Sequence, residues 1–232
     1  TIDIHGGGQD LVFPHHENEA AQSTCVHAGR LYCRYWIHNG LIHVDSEKMS
    51  KSLGNVLLLR DLLSQAPAEA IRLGLLTAHY RQPLDWTGDV LLNAQQKLDR
   101  MYGALRSAGV TGVKQDDPSE PLPEAVVDAL NDDLNTPRAL AALFDLARDA
   151  NRETDLVRRR EIAMALRSGA SLLGLLQADP DAWFVDTGEV DALGSSEIDT
   201  LVDQRERMRV ERNFSEADRI REQLEKAGVV IE

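Results

Sequence analysis

Apolar positions recur with two different periods along the 232-residue chain, and the period changes near residue 60. Before that point, short β-prone runs alternate with glycine-rich or polar stretches. Beyond it, apolar residues recur every three to four positions, which is the spacing of amphipathic helices. The pattern therefore predicts a mixed α/β region followed by a region made of helices.

The mixed region is predicted to begin with a buried strand over residues 1–5, followed by the glycine run Gly6–Gly8. Pro14 then stands where a helix can begin, and the sequence predicts a helix from there to about Ala28. Asn39-Gly40 lies between two β-prone runs, which is the strongest short-range signal for a hairpin. The first 60 residues are therefore predicted to form a small α/β unit that contains a hairpin.

The helical region is predicted to form an antiparallel bundle over residues 87–177. One of its helices has Thr136 as the predicted N-cap, with Pro137 at the first helical position. Residues 108–123 are rich in glycine, aspartate and proline, and they predict a linker. The last stretch, 195–232, predicts further helices that lead into a strand with no partner strand in the chain.

Composition excludes several classes of protein. The net charge of −13 argues against a general nucleic-acid-binding protein, although a local basic surface would suffice for one such partner. No apolar run is long enough to span a membrane, and Cys25 and Cys33 do not make a disulfide framework. A cytoplasmic protein is therefore expected. The start at Thr1, inside a predicted strand, indicates the C-terminal part of a longer polypeptide.

A short stretch with two lysines, Lys48 and Lys51, carries the first candidate chemistry. Hydroxyl residues follow each lysine closely, and Gly54 comes soon after. A lysine offers a compact positive charge with three donors, and hydroxyls and loop amides add donors to phosphate oxygens. The stretch therefore predicts a mobile loop that binds a polyanion, with a solvated turn after a strand as the alternative.

A histidine and a glutamate on the first predicted helix carry the second candidate chemistry. His15 and Glu19 are four positions apart, so their side chains fall on one face of a helix. A neutral imidazole and a carboxylate at this spacing can bind one zinc ion. A surface His–Glu pair is the commoner meaning of this spacing, and His16 is a rival to His15. Two ligands do not complete a structural zinc site, so the others would come from elsewhere.

The glycine run is the third candidate. Because glycines lack Cβ atoms, a ligand can lie against the backbone beside Gly7, and Asp10 could accept hydrogen bonds from a ribose. An ordinary strand-to-helix turn with Asp10 as a cap is an equal alternative.

Taken in chain order, these motifs resemble the signature of cysteinyl-tRNA synthetases. The resemblance is carried by the following stretches: Asp3–Gly8, Phe13–Glu19, Trp36–Gly40 and Lys48–Asn55. This family activates cysteine with ATP and then transfers it to tRNA. The resemblance implies ATP with Mg²⁺, L-cysteine and tRNA(Cys) as partners and one zinc ion as cofactor. We expect a monomer that does not bind membranes.

The resemblance also implies roles for the candidate residues. Lys51 would contact the ATP phosphates with Lys48 beside it, and Gly7 and Asp10 would lie against the adenosine. Two further residues would be ligands of a zinc ion that binds the substrate thiolate, namely His15 and Glu19. In the family the other two zinc ligands are cysteines N-terminal to this stretch, and a His-Ile-Gly-His element faces the lysine loop. Since this chain holds neither, it is expected to be inactive alone.

The fold implied by the resemblance is α/β, a partial Rossmann-like catalytic domain, followed by an all-α helical bundle and a small truncated α/β C-terminal domain. Residues 1–60 would be the C-terminal part of a class I catalytic domain, and 61–86 a connector that resembles a stem-contact region. Residues 87–177 would form the anticodon-side helical bundle, and 195–232 the terminal domain.

Two other functions stay open at this point. Ligases that join cysteine to an aminosugar in mycothiol synthesis share most of the signature. The continuation of the chain over 195–232 and the intact His-His-Glu-Asn-Glu run over 15–19 both favour the synthetase. The other alternative is a non-catalytic tRNA-binding fragment. An in-frame extension upstream of Thr1 with two cysteines and the His-Ile-Gly-His element would exclude that alternative.

Overall fold

The chain divides into two compact units, Thr1–Trp183 and Phe184–Glu232. The computed structural model describes residues 1–44, 46–49, 56–112, 121–185, 195–210 and 214–226. Among these described residues, the first unit contains two small sheets and a set of packed helices, and the second contains two helices. None of the described helices is both long enough and apolar enough to cross a membrane.

The first sheet consists of two parallel strands, β1 (Ile2–Gly8) and β2 (Cys33–Asn39), connected through helix α1 (Glu17–Val26). The prediction of a buried first strand is wrong, because the side chains of Ile2 and Ile4 are 44% and 61% exposed. Parallel sheets are normally covered on both faces. The described residues cover this one incompletely, so the apolar side chains of β1 remain open.

The second sheet has the strand order β4–β3–β5, where β3 is Ile42–Val44, β4 is Glu47–Lys48 and β5 is Leu84–Trp86. β3 runs antiparallel to β4 and parallel to β5.

The hairpin predicted at Asn39-Gly40 is wrong, because the strands on its two sides lie in different sheets. The Gly40 N–H donates to the carbonyl of Tyr80 at 2.7 Å. A Cβ atom on Gly40 would lie only 2.1 Å from the carbonyl oxygen of Gln82. The glycine therefore lets the chain cross from one sheet to the other in close contact with a distant segment.

The helices of the first unit that follow residue 58 agree with the apolar periodicity. They are α2 (Leu59–Leu63), α3 (Ala68–Leu76), α4 (Asp89–Ser107), α5 (Glu124–Asn131), α6 (Thr136–Arg152), α7 (Leu156–Ser171) and the short α8 (Pro180–Trp183). The predicted cap of α6 is one residue off. Asn135 is the N-cap, because its side-chain oxygen accepts the N–H of Arg138 at 3.1 Å, and Thr136 is the first helical residue.

A polar pair, in which Tyr102 is buried and Glu69 half-buried, connects α3, α4 and the segment that follows α7. The hydroxyl of Tyr102 donates to the carboxylate of Glu69, and the N–H of Ala178 donates to that hydroxyl at 3.1 Å. Glu69 also accepts the N–H groups of Leu176 and Gln177, at 2.9 and 3.0 Å. Burial, followed by the charge of Glu69, raises the pKa of Tyr102. The pair therefore satisfies backbone donors that would otherwise be buried without partners.

The second unit contains α9 (Ser195–Val210) and α10 (Phe214–Lys226). Three apolar residues of α10 that recur at helical spacing, Ala217, Ile220 and Leu224, are all buried. The predicted last strand, Val229–Ile231, lies outside the described residues.

An aspartate between α5 and α6 connects the bundle to the segment before β5. Asp133 accepts the hydroxyl of Tyr80 at 2.7 Å and the Nε of Arg81 at 2.6 Å. Asp133 and Leu134 both have left-handed backbone angles, with φ of 52° and 55°, a conformation that costs free energy for residues other than glycine. The hydrogen bonds from Arg81, and then from Tyr80, lower the pKa of the Asp133 carboxyl.

Because the pKa of Asp133 is lower in the folded protein, its contribution to the free energy of unfolding depends on pH. This contribution is present above the ordinary aspartate pKa of about 4 and is lost as the pH falls through the lower folded value. We expect Asp133→Asn to reduce the free energy of unfolding at pH 7, and the deficit to shrink towards pH 3. Urea denaturation at both pH values measures this. A deficit that does not change with pH would contradict the role, and Asp132→Asn is the control.

Candidate metal site and lysine loop

Three metal-binding side chains meet beside the first sheet. Ligand atoms of His5, His16 and Glu19 all lie within 4.8 Å of one another. His5 Nε2 is buried and lies 2.9 Å from Glu19 Oε2, but the angles at this contact are not those of a hydrogen bond. Two imidazole nitrogens and a carboxylate oxygen are ligands that zinc accepts. The donor set, with one buried nitrogen left unsatisfied, therefore fits a zinc ion.

The parallel pairing of β1 and β2 builds the wall behind these ligands. Its register places His5 beside Trp36 and Gly7 beside His38. Because side chains two positions apart lie on one face of a strand, the rings of Trp36 and His38 stack, with centroids 5.9 Å apart and planes at 9°. The ring centroids of His5 and Trp36 are 5.1 Å apart. The site is therefore bounded by aromatic rings.

His16 is held in place from two sides. Its Nδ1 lies 2.9 Å from Nε2 of His38, so one of these two nitrogens donates to the other. A Cβ atom on Gly7 would lie 2.7 Å from Cε1 of His16. The bare backbone of Gly7 is therefore what allows the buried His16 ring to lie against β1.

The structure brings one of the two predicted metal ligands into this cluster. Glu19 is a member, whereas His15 is exposed and is not. The two histidines are consecutive residues of the turn Val12–His16 that leads into α1, and His16 alone is buried, with its ring against Gly7 of β1. Zinc binding by His15 and Glu19 therefore stays a prediction. The structure brings together a second possible set of ligands, namely His5, His16 and Glu19.

The predicted nucleotide contacts of the glycine run also stay predictions. The ring of His16 fills the space beside Gly7, where the sequence led us to expect a ligand. The carboxylate of Asp10 fills the space beside Gly8, where a Cβ atom would lie 2.5 Å from Asp10 Oδ1. Asp10 itself is exposed. The side chains of His16 and Asp10 therefore account for the need for glycine at positions 7 and 8, without a bound ligand.

The lysine loop begins at the edge of the second sheet. Lys48 is the last residue of β4, where it is the partner of His43, and the N–H of Met49 donates to the carbonyl of Ile42 at 3.2 Å. Residues 50–55, which include Lys51, lie outside the described residues. The backbone of the first lysine is therefore fixed by the strands that precede the loop.

An aspartate that the sequence did not single out holds the turn in front of this loop. Ser46, between β3 and β4, has a left-handed φ of 68°. Its N–H donates to one carboxylate oxygen of Asp85 at 2.9 Å, and its hydroxyl donates to the other at 3.1 Å. Asp85 lies on β5, about 40 residues further along, so only the folded structure shows the contact.

We expect Asp85→Ala to disturb this turn and, through it, the position of Lys48. A displacement of about 1 Å in a catalytic group can cost on the order of 100-fold in rate. On the activity that the family resemblance implies for the complete protein, we expect the kcat of cysteine-dependent ATP–pyrophosphate exchange to fall about 10- to 100-fold. Asp128→Ala, at an exposed aspartate of α5, is the control. Equal rates for the two variants would contradict a positioning role for Asp85.

Three family models match consecutive parts of the chain. They describe the class I (C) tRNA synthetase catalytic domain over residues 1–96, the DALR domain over 125–177, and the cysteinyl-tRNA ligase anticodon binding domain over 191–232. Cysteine–tRNA ligases of Parvibaculum lavamentivorans and Paramagnetospirillum magneticum are each 53% identical to this chain over all of its 232 residues. The chain belongs to the cysteinyl-tRNA synthetase family.

This chain spans about half the length of the curated cysteinyl-tRNA synthetases that it matches, 49% and 50% for the two named above. Among solved structures, it resembles LeuRS of Agrobacterium radiobacter K84, determined in a ternary complex with tRNA and LeuAMS. The TM-score is 0.53 with 18% identity, over 75% of this chain and 26% of that one. The similarity shows a class I aminoacyl-tRNA synthetase-like fold. The finer division into four parts stays a prediction.

Proposed function

We propose that the complete protein carrying this chain attaches L-cysteine to tRNA(Cys) with ATP, through a cysteinyl-adenylate. The observation that supports this best is the succession of the three family matches, which ends with the anticodon binding domain of cysteinyl-tRNA ligase. Since the chain spans half of its relatives, the activity is proposed for this chain together with the rest of a catalytic domain, and not for the chain alone.

Lys51, with Lys48 beside it, would stabilise the leaving group of the first step. Negative charge grows on the pyrophosphate as cysteine attacks ATP. A cation placed there interacts more strongly with the transition state than with the ground state, and so it accelerates the reaction. The pairing of β4 supports the first lysine from the sheet. Gly7 and Asp10 would lie near the adenosine, with Mg²⁺ accompanying the phosphates.

A zinc ion would be held on the face formed by β1 and α1, with Glu19 as a ligand. Its imidazole partners would be His15, as the family resemblance implies, or His5 and His16, as the geometry of the cluster favours. When bound, zinc supplies a centre that takes a thiolate far better than a hydroxyl, so cysteine is selected over serine. Trp36 and Tyr32 would limit the access of water, since their rings contact His5.

The four-part division of the chain is also proposed. Residues 1–60 would complete the catalytic domain, 61–86 would connect it to the helices, 87–177 would be the anticodon-side bundle, and 195–232 the terminal domain. The end of the first compact unit at Trp183 supports a boundary before the last part. Four arginines would be candidates for tRNA contact there: Arg205, Arg207 and Arg209 on α9, and Arg212, which lies outside the described residues.

ATP–pyrophosphate exchange by the complete protein tests this function. We expect exchange that depends on L-cysteine and is far slower with L-serine, because a zinc site discriminates by ligand chemistry. Exchange with cysteine that is lost after zinc removal and restored by zinc addition would support the metal assignment. Exchange driven by another amino acid, or none with cysteine, would contradict the proposal.

A further inference from the structure

Three consecutive residues in front of β5 all contact one residue of the helical bundle. His79 Nε2 lies 3.0 Å from the backbone carbonyl oxygen of Asp133, to which it donates. The Tyr80 hydroxyl donates to Oδ1 of Asp133 at 2.7 Å. Arg81 donates to both carboxylate oxygens, from Nε at 2.6 Å and from Nη2 at 3.2 Å, which is the bidentate geometry that guanidinium groups favour. These four residues form the Asp133 cluster.

Stability alone does not account for this cluster. The side chains of Arg81 and Asp133 are 54% and 48% exposed, and exposed ion pairs contribute little to the free energy of unfolding. The turn that carries Asp133 also holds two consecutive residues, Asp133 and Leu134, in left-handed conformations that cost free energy. Residues held in such conformations are concentrated at functional sites. The turn is therefore better explained by the segment that it positions.

The backbone of the same segment contacts the two sheets. The carbonyl of Tyr80 accepts the N–H of Gly40 at 2.7 Å, and the carbonyl oxygen of Gln82 lies against Gly40 so closely that no Cβ atom would fit there. Two residues after Gln82, the N–H of Leu84 donates to the carbonyl of Leu41 at 3.0 Å. The side chains of the segment thus contact the bundle, while its backbone holds the crossing between β2 and β3.

Strand β5 connects this segment to the lysine loop. It pairs in parallel with β3, and its Asp85 accepts the N–H and the hydroxyl of Ser46 in front of β4, which ends at the first lysine of the loop. Three residues separate Arg81 from Asp85, and one of them is Pro83, whose φ is fixed by its ring. A displacement of the segment is therefore passed on to Asp85, because the connection is too short and stiff to absorb it.

We propose that Asp133 is a positioning residue for cysteine activation, which acts through residues 79–82 and β5 on the lysine loop. This inference rests on the proposed function. Asp133 holds the segment in front of β5, Asp85 on β5 holds the turn at Ser46, and that turn holds the strand that ends at Lys48. The geometry of the loop would then depend on a residue of the helical bundle, which lies within the DALR-domain match and outside the catalytic-domain match.

Replacing Asp133 with alanine in the complete protein tests this role. A displacement of about 1 Å in a catalytic group can cost on the order of 100-fold in rate. Because Asp133 acts at one remove, we expect the kcat of cysteine-dependent ATP–pyrophosphate exchange to fall about 10-fold. The KM for cysteine should stay nearly constant, since the loop is assigned to the phosphates. Asp132→Ala is the matched control, because it removes the neighbouring aspartate, which pairs with Arg138.

A double-mutant cycle shows whether Asp133 acts through Asp85. The double variant D85A/D133A should lose less than the product of the two single losses, because both changes disturb the same turn. Losses that multiply would contradict this route. A kcat for Asp133→Ala equal to that of Asp132→Ala would overturn the positioning role altogether.

A loss of stability must be separated from a loss of position. Glycine adopts the left-handed conformation without strain, so D133A/L134G should be more stable than Asp133→Ala, as measured by urea denaturation. Its kcat should stay low, because the acceptor for Tyr80 and Arg81 is still absent. A kcat that returns to the wild-type value together with the stability would overturn the proposal.

Hydrogen–deuterium exchange gives a readout that does not need activity. Asp133→Ala should speed the exchange of the Ser46 and Met49 amides, which Asp85 and β3 hold, while the amides of α7 stay protected. Faster amide exchange in the variant, with no cysteine-dependent activity in the wild type, would contradict the proposed function alone. Cysteine-dependent activity in the wild type, with unchanged amide exchange and rate in the variant, would contradict the positioning role alone.

Discussion

Replacing Lys51 with alanine is expected to slow cysteine-dependent ATP–pyrophosphate exchange by about 10²- to 10³-fold, the usual cost of removing one transition-state donor. The loss arises because the charge of the leaving pyrophosphate would no longer be met by a positioned ammonium group. Binding of cysteine should be nearly unchanged, since the lysine is assigned to the phosphates and not to the amino acid. Pyrophosphate exchange gives the rate, and calorimetry gives the affinity for cysteine.

Lys226→Ala is a suitable control for this prediction. It removes the same charge from α10, outside the segment matched by the catalytic-domain model. If Lys51→Ala lost as much affinity for cysteine as it lost in exchange rate, the role assigned to this lysine would be contradicted. An exchange rate equal to that of Lys226→Ala would contradict it as well.

Replacing Glu19 with alanine is expected to weaken zinc retention by at least about 100-fold. Changes to residues that only support metal ligands cost 10- to 100-fold, so the loss of a ligand should cost at least as much. Glu19 belongs to both proposed ligand sets, so this expectation holds whichever histidines bind the ion. Chelator competition followed by elemental analysis of the complete protein measures the affinity without reference to activity.

Glu17→Ala is the matched control, because Glu17 is an exposed glutamate on the same helix. Zinc content in Glu19→Ala equal to that of this control would contradict the ligand assignment. His15→Ala and His16→Ala then separate the two sets. Zinc loss confined to the His15 variant assigns the ion to His15 and Glu19. Zinc loss confined to the His16 variant assigns it to the cluster of His5, His16 and Glu19.

The helices could be predicted because their signal is local. On α4, for example, Leu98, Met101, Tyr102 and Leu105 recur at helical spacing, and all four are fully buried. The hairpin could not be predicted correctly, because the Asn39-Gly40 signal describes only its immediate neighbours. β3 instead pairs with β4, which follows it directly, and with β5, which comes about 40 residues later at Leu84–Trp86.

The candidate site was predictable only in part, for a related reason. Glu19 emerged from spacing along one helix, and its cluster with His5 and His16 depends on how α1 lies against β1. The alternation of Trp36 and His38 along one strand was a usable signal for a shared face. Nothing local indicated which residues of β1 they would adjoin. Asp85 was beyond reach, since its partner Ser46 lies in another segment.

The identity of the acceptor tests the central claim most directly. The complete protein would be given ATP and radiolabelled cysteine together with a tRNA(Cys) transcript and, separately, a glucosaminyl-inositol acceptor. We predict that label becomes attached to the 3′ end of the tRNA through an ester that mild alkali releases, and that the aminosugar stays unlabelled. Label on the aminosugar alone would contradict the assignment of this chain to tRNA charging.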